Sequence, residues 1–250
     1  MIKLFITDLD GCISHPFKTP NWEHISEIRK LNQESRTNET IPALTICSGR
    51  PFPYVEAVGQ WLDVEVPVVF ESGGGMYDIK TNEITWNPHF DEDAREAVLE
   101  IKDWIENVLI KNYEGTYPEF AKYTDAGLVN PDPAKVKKMH DELLNFVPKR
   151  FPMFEIHATE ISVNVILKKA NKGIGITHLS EDLELDLEET AYIGDSSGDI
   201  PGLKIVGRSF APQNAASFVK KVVDHEVGEA TLGVLEAYKM LIDFNSAETT

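Results

Sequence analysis

Asp8-Leu9-Asp10-Gly11 sets two carboxylates two residues apart, directly after the apolar residues Ile2, Leu4, Phe5 and Ile6. Residues two apart on a strand share a side, so both acids can face the crevice at the strand's carboxyl end, where open α/β sheets bind ligands. Their mutual repulsion would be relieved by a cation. A second pair, Asp195 and Asp199, lies in Gly194-Asp195-Ser196-Ser197-Gly198-Asp199 after another apolar run. Two further groups fall at predicted helix starts, Ser48-Gly49-Arg50 and Lys172-Gly173. A hydroxyl and N–H groups at such a place can hold phosphate oxygens. A lysine there opposes the helix dipole, which an anion between Lys172 and Asp8 would explain; Lys168 and Lys169 compete for that role. Plainer readings stand beside these. Asp-Leu-Asp-Gly can be a strand-ending turn, Ser48 or Asp199 a helix cap, and Arg50 the partner of a nearby acid.

The elements that must position these groups follow from periodicity. Residues 2–6, 42–47 and 66–70 read as buried strands, separated by helices over residues 21–32 and from Pro51 to about Leu62. Two such βα units followed by a strand predict a parallel, doubly wound sheet. The texture changes after the turn 71–75. A hairpin around residues 80–82, a helix over 91–111, a strand within 116–129, a helix over 133–146 and two short strands within 154–167 predict a smaller α+β insert. The first texture returns with a helix over 171–183, a strand over 190–194, further sheet and cover at 203–206 and 222–223, a helix from Gln213, a helix over 229–244 and a frayed tail over 246–250. The expected fold is α/β: a doubly wound, Rossmann-like parallel core formed by residues 1–82 and 167–250, with an inserted α+β cap over 83–166.

Asp plus Glu total 41 against 24 Lys plus Arg, a formal charge of −17, which argues against nucleic-acid or anionic-membrane partners. The two cysteines, Cys12 and Cys47, sit in apolar strand-like contexts and read as reduced thiols. The histidines lack zinc-site spacing. With neither a signal-like start nor a run of about twenty apolar residues, a soluble cytoplasmic protein is expected.

Taken in order, the Asp8-Leu9-Asp10-Gly11, Ser48-Gly49-Arg50, Lys172-Gly173 and Gly194–Asp199 groups resemble the four motifs of the haloacid dehalogenase superfamily. The insert between the second and third resembles the cap of its subclass IIB, the Cof-type phosphatases, where substrate specificity is expected to lie. The resemblance implies that Asp8 is a nucleophile forming an aspartyl-phosphate, and that Asp10 is the general acid and base. It implies that Ser48 and Lys172 hold the phosphate with Gly49 and Arg50. It gives a metal to Asp8, the Asp10 carbonyl and Asp195, with Asp199 either ligating or orienting the cation's waters. Oxygen ligands favour Mg²⁺. Asn214, in Gln213-Asn214-Ala215, resembles a Cof-type step and would touch substrate. Cys12 and Ser72 depart from the usual pattern and leave the subfamily open.

The resemblance implies a Mg²⁺-dependent phosphatase of a small phosphorylated metabolite, a sugar phosphate or phospho-carboxylic acid, working as a monomer or small homo-oligomer. A phosphomutase with the same core and a non-catalytic metal- and phosphate-binding protein are the alternatives. A mutase needs a remote phosphate clamp, and the insert offers only Arg95 and Arg150, both expected to be solvated, with Lys122 a partial substitute. In residues 154–159 alternation sets Glu155, His157 and Thr159 on one face, which either lines the site or, as is favoured, meets solvent or packs within the cap.

Overall fold

The computed structural model describes residues 1–16 and 18–248 and divides into two compact units, Met1–Thr85 with Lys172–Thr250, and Trp86–Asn171. The first unit holds a five-stranded parallel sheet in the order β12-β11-β10-β1-β2. Its strands are β1 (Leu4–Thr7), β2 (Ala43–Ile46), β10 (Thr190–Ile193), β11 (Arg208–Pro212) and β12 (His225–Val227). β1 lies in register with both neighbours, Thr7 opposite Ile46 on one side and Ile193 on the other. The chain leaves β1 towards β2 and returns on the opposite side as β10, so the order reverses at β1. That makes the common carboxyl edge of β1, β2 and β10 the topological switch point where such sheets bind ligands.

Both faces of β1 are covered, which is why its four residues are apolar or fully buried rather than alternating. On one face Leu4, Ile6 and Tyr192 pack with Ile176 and Leu179 of α6 (Lys172–Asp182) and Leu203 of α7 (Ile200–Leu203). On the other, Phe5 meets Phe210 and Tyr238 of α9 (Thr231–Glu248), and α9 packs on α1 (Trp22–Glu34). Asn21 caps α1 by accepting from Glu23 and His24 N–H, and Pro51 precedes α2 (Phe52–Trp61). α8 (Ser217–Lys220) is a single turn.

Four expectations shift. Residues 66–70 narrow to β3 (Val68–Phe70), which pairs antiparallel with β4 (Gly75–Asp78) and meets the main sheet through one parallel bridge, Cys47 to Val69. β5 (Glu83–Trp86) completes that small sheet. The run 203–206 is no strand, because Pro201 favours the first turn of α7 and Leu203 is already committed to the core; the strand is β11, five residues later. Likewise β12 follows residues 222–223 rather than including them. Residues 246–248 continue α9, and 249–250 lie outside the described residues.

The second unit is a four-stranded antiparallel sheet, β6-β7-β9-β8, built from β6 (Tyr117–Pro118), β7 (Ala126–Val129), β8 (Phe154–Ala158) and β9 (Ser162–Leu167). α3 (Glu92–Trp104) passes through a π turn at Ile105–Leu109 into α4 (Ile110–Asn112), and α5 (Pro133–Arg150) follows β7. Val98, Ile101, Met139, Leu143 and Val147 of the helices bury against Leu128, Val163 and Val165 of the sheet. Glu155 and His157 bond each other at 2.9 Å, and the Thr159 hydroxyl bonds that of Ser162.

Candidate active site

Four segments of the first unit deliver polar side chains from the edge described above. Asp8 directly follows β1, is 4% exposed, and its N–H donates to Ile193 O. The chain then turns sharply, with Cys12, Ile13 and Ser14 N–H all donating to Leu9 O. Gly11 has φ 74, and a Cβ there would lie 2.0 Å from Asp195 Oδ2. A side chain at that position would expel Asp195 from its place beside the β1 loop. Gly194 does the same for Asp199, whose Cβ would be 2.4 Å from an added Cβ.

Lys172 opens α6 and is buried. Its Nζ lies 2.9 Å from Asp8 Oδ2 and 2.5 Å from Asp199 Oδ1. Burial works against its charge, but Asp199 and Asp8 outweigh burial and hold the ammonium well above the usual lysine range. Asp199 is fully buried and saturated with donors. Oδ1 accepts from Lys172 and from the Tyr192 hydroxyl, while Oδ2 accepts from Asp195 N–H and from the Ser196 N–H and hydroxyl. Burial alone would raise its carboxyl, yet these partners carry it below the ordinary carboxylate range. Tyr192 was legible only as one apolar position of a buried strand, and its hydroxyl is the single polar tip that could have betrayed it.

Asp8 and Asp195 differ from Asp199. Burial pushes the Asp8 carboxyl up to about 7, with Lys172 opposing and Asp199 reinforcing the shift. Burial, then the charges of Asp8 and Asp199, push Asp195 to about 7 as well. Asp8 Oδ1 is buried and receives no hydrogen bond. One oxygen each from Asp8, Asp195 and Asp199 lie within 4.8 Å of one another. An unpartnered buried oxygen and two carboxyls pushed up by burial and by neighbouring carboxylates fit a hard divalent cation with oxygen ligands.

Asp10 points to the same edge but is taken by Arg50, with Nε to Oδ2 at 2.6 Å and Nη2 to Oδ1 at 2.8 Å. Ser48 is 1% exposed, its N–H held by Val69 O and its carbonyl accepting from Ser72 N–H. The Ser48 hydroxyl accepts from Arg50 N–H at 3.3 Å, and α2 has no side-chain cap, so Ser48 is not that helix's cap. Gly49 lies against Ser72, where a Cβ would be 3.2 Å from Oγ. Asn214 is a clip between loops: its Nδ2 donates to Gly11 O at 2.8 Å, and its Oδ1 accepts from Ala230 N–H at 2.9 Å. Of the competing lysines, Lys168 bonds Pro152 O at 2.6 Å in the other unit. Cys12 and Cys47 are separate free thiols, both pushed up by burial, with Sγ atoms against Ile193 O and Lys172 O respectively.

A family model described as haloacid dehalogenase-like hydrolase matches residues 107–237. A phosphoglycolate phosphatase of Methanopyrus kandleri is 26% identical over 225 residues, 90% of each chain. One from Metallosphaera sedula is 24% identical over 97% of this chain and 100% of its own. A crystal structure of the Thermoplasma acidophilum protein 0175 superposes with a TM-score of 0.74 at 21% identity, over 96% of this chain and 98% of that one.

Proposed function

The chain belongs to the haloacid dehalogenase-like hydrolases and is a phosphatase of that family; from that premise we propose that it hydrolyses a small phosphorylated carboxylic acid, phosphoglycolate first, through Asp8 with Mg²⁺ as cofactor. The observation that carries the reading is the state of Asp8. One oxygen is neutralised by Lys172 and the other is buried without a donor, so the carboxylate is aimed rather than tied down. The names of the relatives support the substrate class.

In this reading the Asp8 carboxylate attacks phosphorus in line and the ester bond breaks as the aspartyl-phosphate forms. Asp10 gives its proton to the departing oxygen and then takes one from the water that cleaves the aspartyl-phosphate. Ser48 donates its hydroxyl to a phosphate oxygen, with Gly49 N–H and Arg50 beside it, and Lys172 offsets charge on the transferred group. Asp8, Asp195 and the Asp10 carbonyl would hold Mg²⁺, which supplies charge neutralisation at the phosphate. Because the Asp199 oxygens already receive five donors, Asp199 acts on Lys172 and the Asp195 loop rather than as a direct ligand. Asn214 holds the β1 loop in place of touching substrate.

Hydrolysis is favoured over mutase chemistry because the insert's arginines are spent on its own surface. Arg95 lies over the rings of Trp86 and Phe90, and Arg150 pairs with Glu100. Lys122 is buried with Asp125 at 2.8 Å. The free, buried thiols support a cytoplasmic setting. Phosphate release from phosphoglycolate, hexose 6-phosphate and glycerol phosphate, with Mg²⁺ and with chelator, tests the proposal. Mg²⁺-dependent release, fastest from phosphoglycolate, is expected; full activity in excess chelator contradicts it.

A further inference from the structure

The Asp10–Arg50 contact is a two-point fork, and it lies where the proposed acid must meet the leaving oxygen. Both Asp10 oxygens face guanidinium N–H groups, so in this arrangement Asp10 has neither turned towards a leaving group. The pair is not walled in: the Arg50 side chain is 24% exposed and that of Asp10 32%. Exchange of partners there does not strand a buried charge. Arg50 hangs from the turn that carries Ser48, through its own N–H to the Ser48 hydroxyl. Its Cζ sits 5.1 Å from the centre of the Tyr54 ring, a face that holds the guanidinium plane while its N–H edge changes partner.

What displaces a carboxylate from a planar fork is another planar anion. A chain of net charge −17 that accepts a doubly anionic ester needs a cation on the open side of the site, since Lys172 is buried against Asp8 and Asp199. We propose that Arg50 determines specificity by exchanging Asp10 for the substrate's own carboxylate, so that the enzyme selects phosphate esters whose carboxylate is attached to the carbon bearing the ester oxygen. In such an ester the acid group sits beside the leaving oxygen, next to Asp10 when that oxygen is in reach. Binding the right substrate then turns Asp10 loose at the place it is needed. An ester without the acid group leaves Asp10 in its fork. The inference rests on the phosphatase reading and adds the group that chooses the substrate.

The test compares kcat/KM on 2-phosphoglycolate and on 2-hydroxyethyl phosphate, which keeps the two-carbon ester and lacks the carboxylate. Wild type, Arg50→Gln and Arg50→Lys are assayed with Mg²⁺. Loss of a charge-assisted contact should lower the ratio of the two kcat/KM values roughly 30-fold in Arg50→Gln, mostly through KM for phosphoglycolate. Arg50→Lys should recover only part of the ratio, because a point charge does not serve two oxygens at once. An unchanged ratio in both variants overturns the exchange while leaving the phosphatase standing. A wild type inactive on both esters, or without preference for phosphoglycolate, overturns the phosphoglycolate reading and the role of Arg50 with it.

Discussion

Lys172 Nζ stands 2.9 Å from Asp8 Oδ2 while Asp8 Oδ1, on the same carboxylate, is buried with no donor. The two oxygens of Asp8 therefore have different tasks. The neutralised one fixes the direction of the side chain and the other is left for chemistry or a cation. Three buried groups, Asp8, Lys172 and Asp199, share this arrangement, and their coupling can be tested.

Without a cation, Asp8 and Asp195 have folded-state values of about 7 against an ordinary 3.8. Raised carboxyl values mean the folded protein binds more protons than the unfolded chain across that window, so these groups lower stability as pH rises through it and do so fully above about 7. Asp199, held low, acts in the opposite sense: its contribution is present above its ordinary value and lost as pH falls below it. Metal-free protein should thus melt higher at pH 5.5 than at pH 8 by thermal scans, with Mg²⁺ raising the pH 8 value most. Asp195→Asn should flatten the pH dependence and remove the Mg²⁺ response. Below pH 7 apparent Mg²⁺ affinity should fall about tenfold per pH unit for each carboxylate that must lose its proton. A Mg²⁺ response independent of pH contradicts this account.

Removing Lys172 leaves two buried carboxylates facing one another. Lys172→Met should cost about 3–5 kcal/mol in urea unfolding at pH 7. Adding Asp199→Asn should recover a large part of that loss without recovering turnover, because the charge that needed Lys172 is gone while the charge next to phosphate is still uncompensated. Losses that simply add would show that the three groups are independent.

Tyr192 is a narrower probe of the same arrangement. Its ring belongs to the core on the α6 face and its hydroxyl donates to Asp199 Oδ1 beside Lys172. Tyr192→Phe keeps the ring and removes one donor to a buried charge, so it should lower unfolding stability by about 1.5–3 kcal/mol. It should also reduce kcat, as Asp199 draws Lys172 away from Asp8. An unfolding midpoint equal to that of wild type would assign the hydroxyl no role.

Much of this site could be read before any coordinates, and for a physical reason. Asp8 and Asp195 end short apolar runs, and a parallel sheet sends the ends of β1 and β10 to one edge, so local pattern and topology agree. Ser48 and Lys172 followed from the same logic at strand and helix boundaries. Side-chain partnerships were beyond that reach. Whether Arg50 touches substrate or pairs with a nearby acid, and whether Asn214 touches a ligand or clips Gly11 to Ala230, depends on loops distant in sequence. Tyr192 was hidden because a buried tyrosine and a buried phenylalanine give the same strand pattern. The strand falls at β11 and not at 203–206 because Leu203 and nearby Ile205 and Val206 imitate a strand, while Arg208 and Ser209 lower the apolar character of the true one.

The account stands on a covalent bond between Asp8 and phosphate, and borohydride trapping followed by peptide mass spectrometry measures that bond. Protein mixed with phosphoglycolate and Mg²⁺ is quenched within one turnover, reduced, digested and sequenced. Reduction of the acyl-phosphate should mark Asp8 alone, at a yield that falls when Asp10→Asn slows departure of the alkoxide and vanishes in Asp8→Asn. Phosphate release by wild type with Asp8 unmarked, or with the mark on another residue, would contradict it.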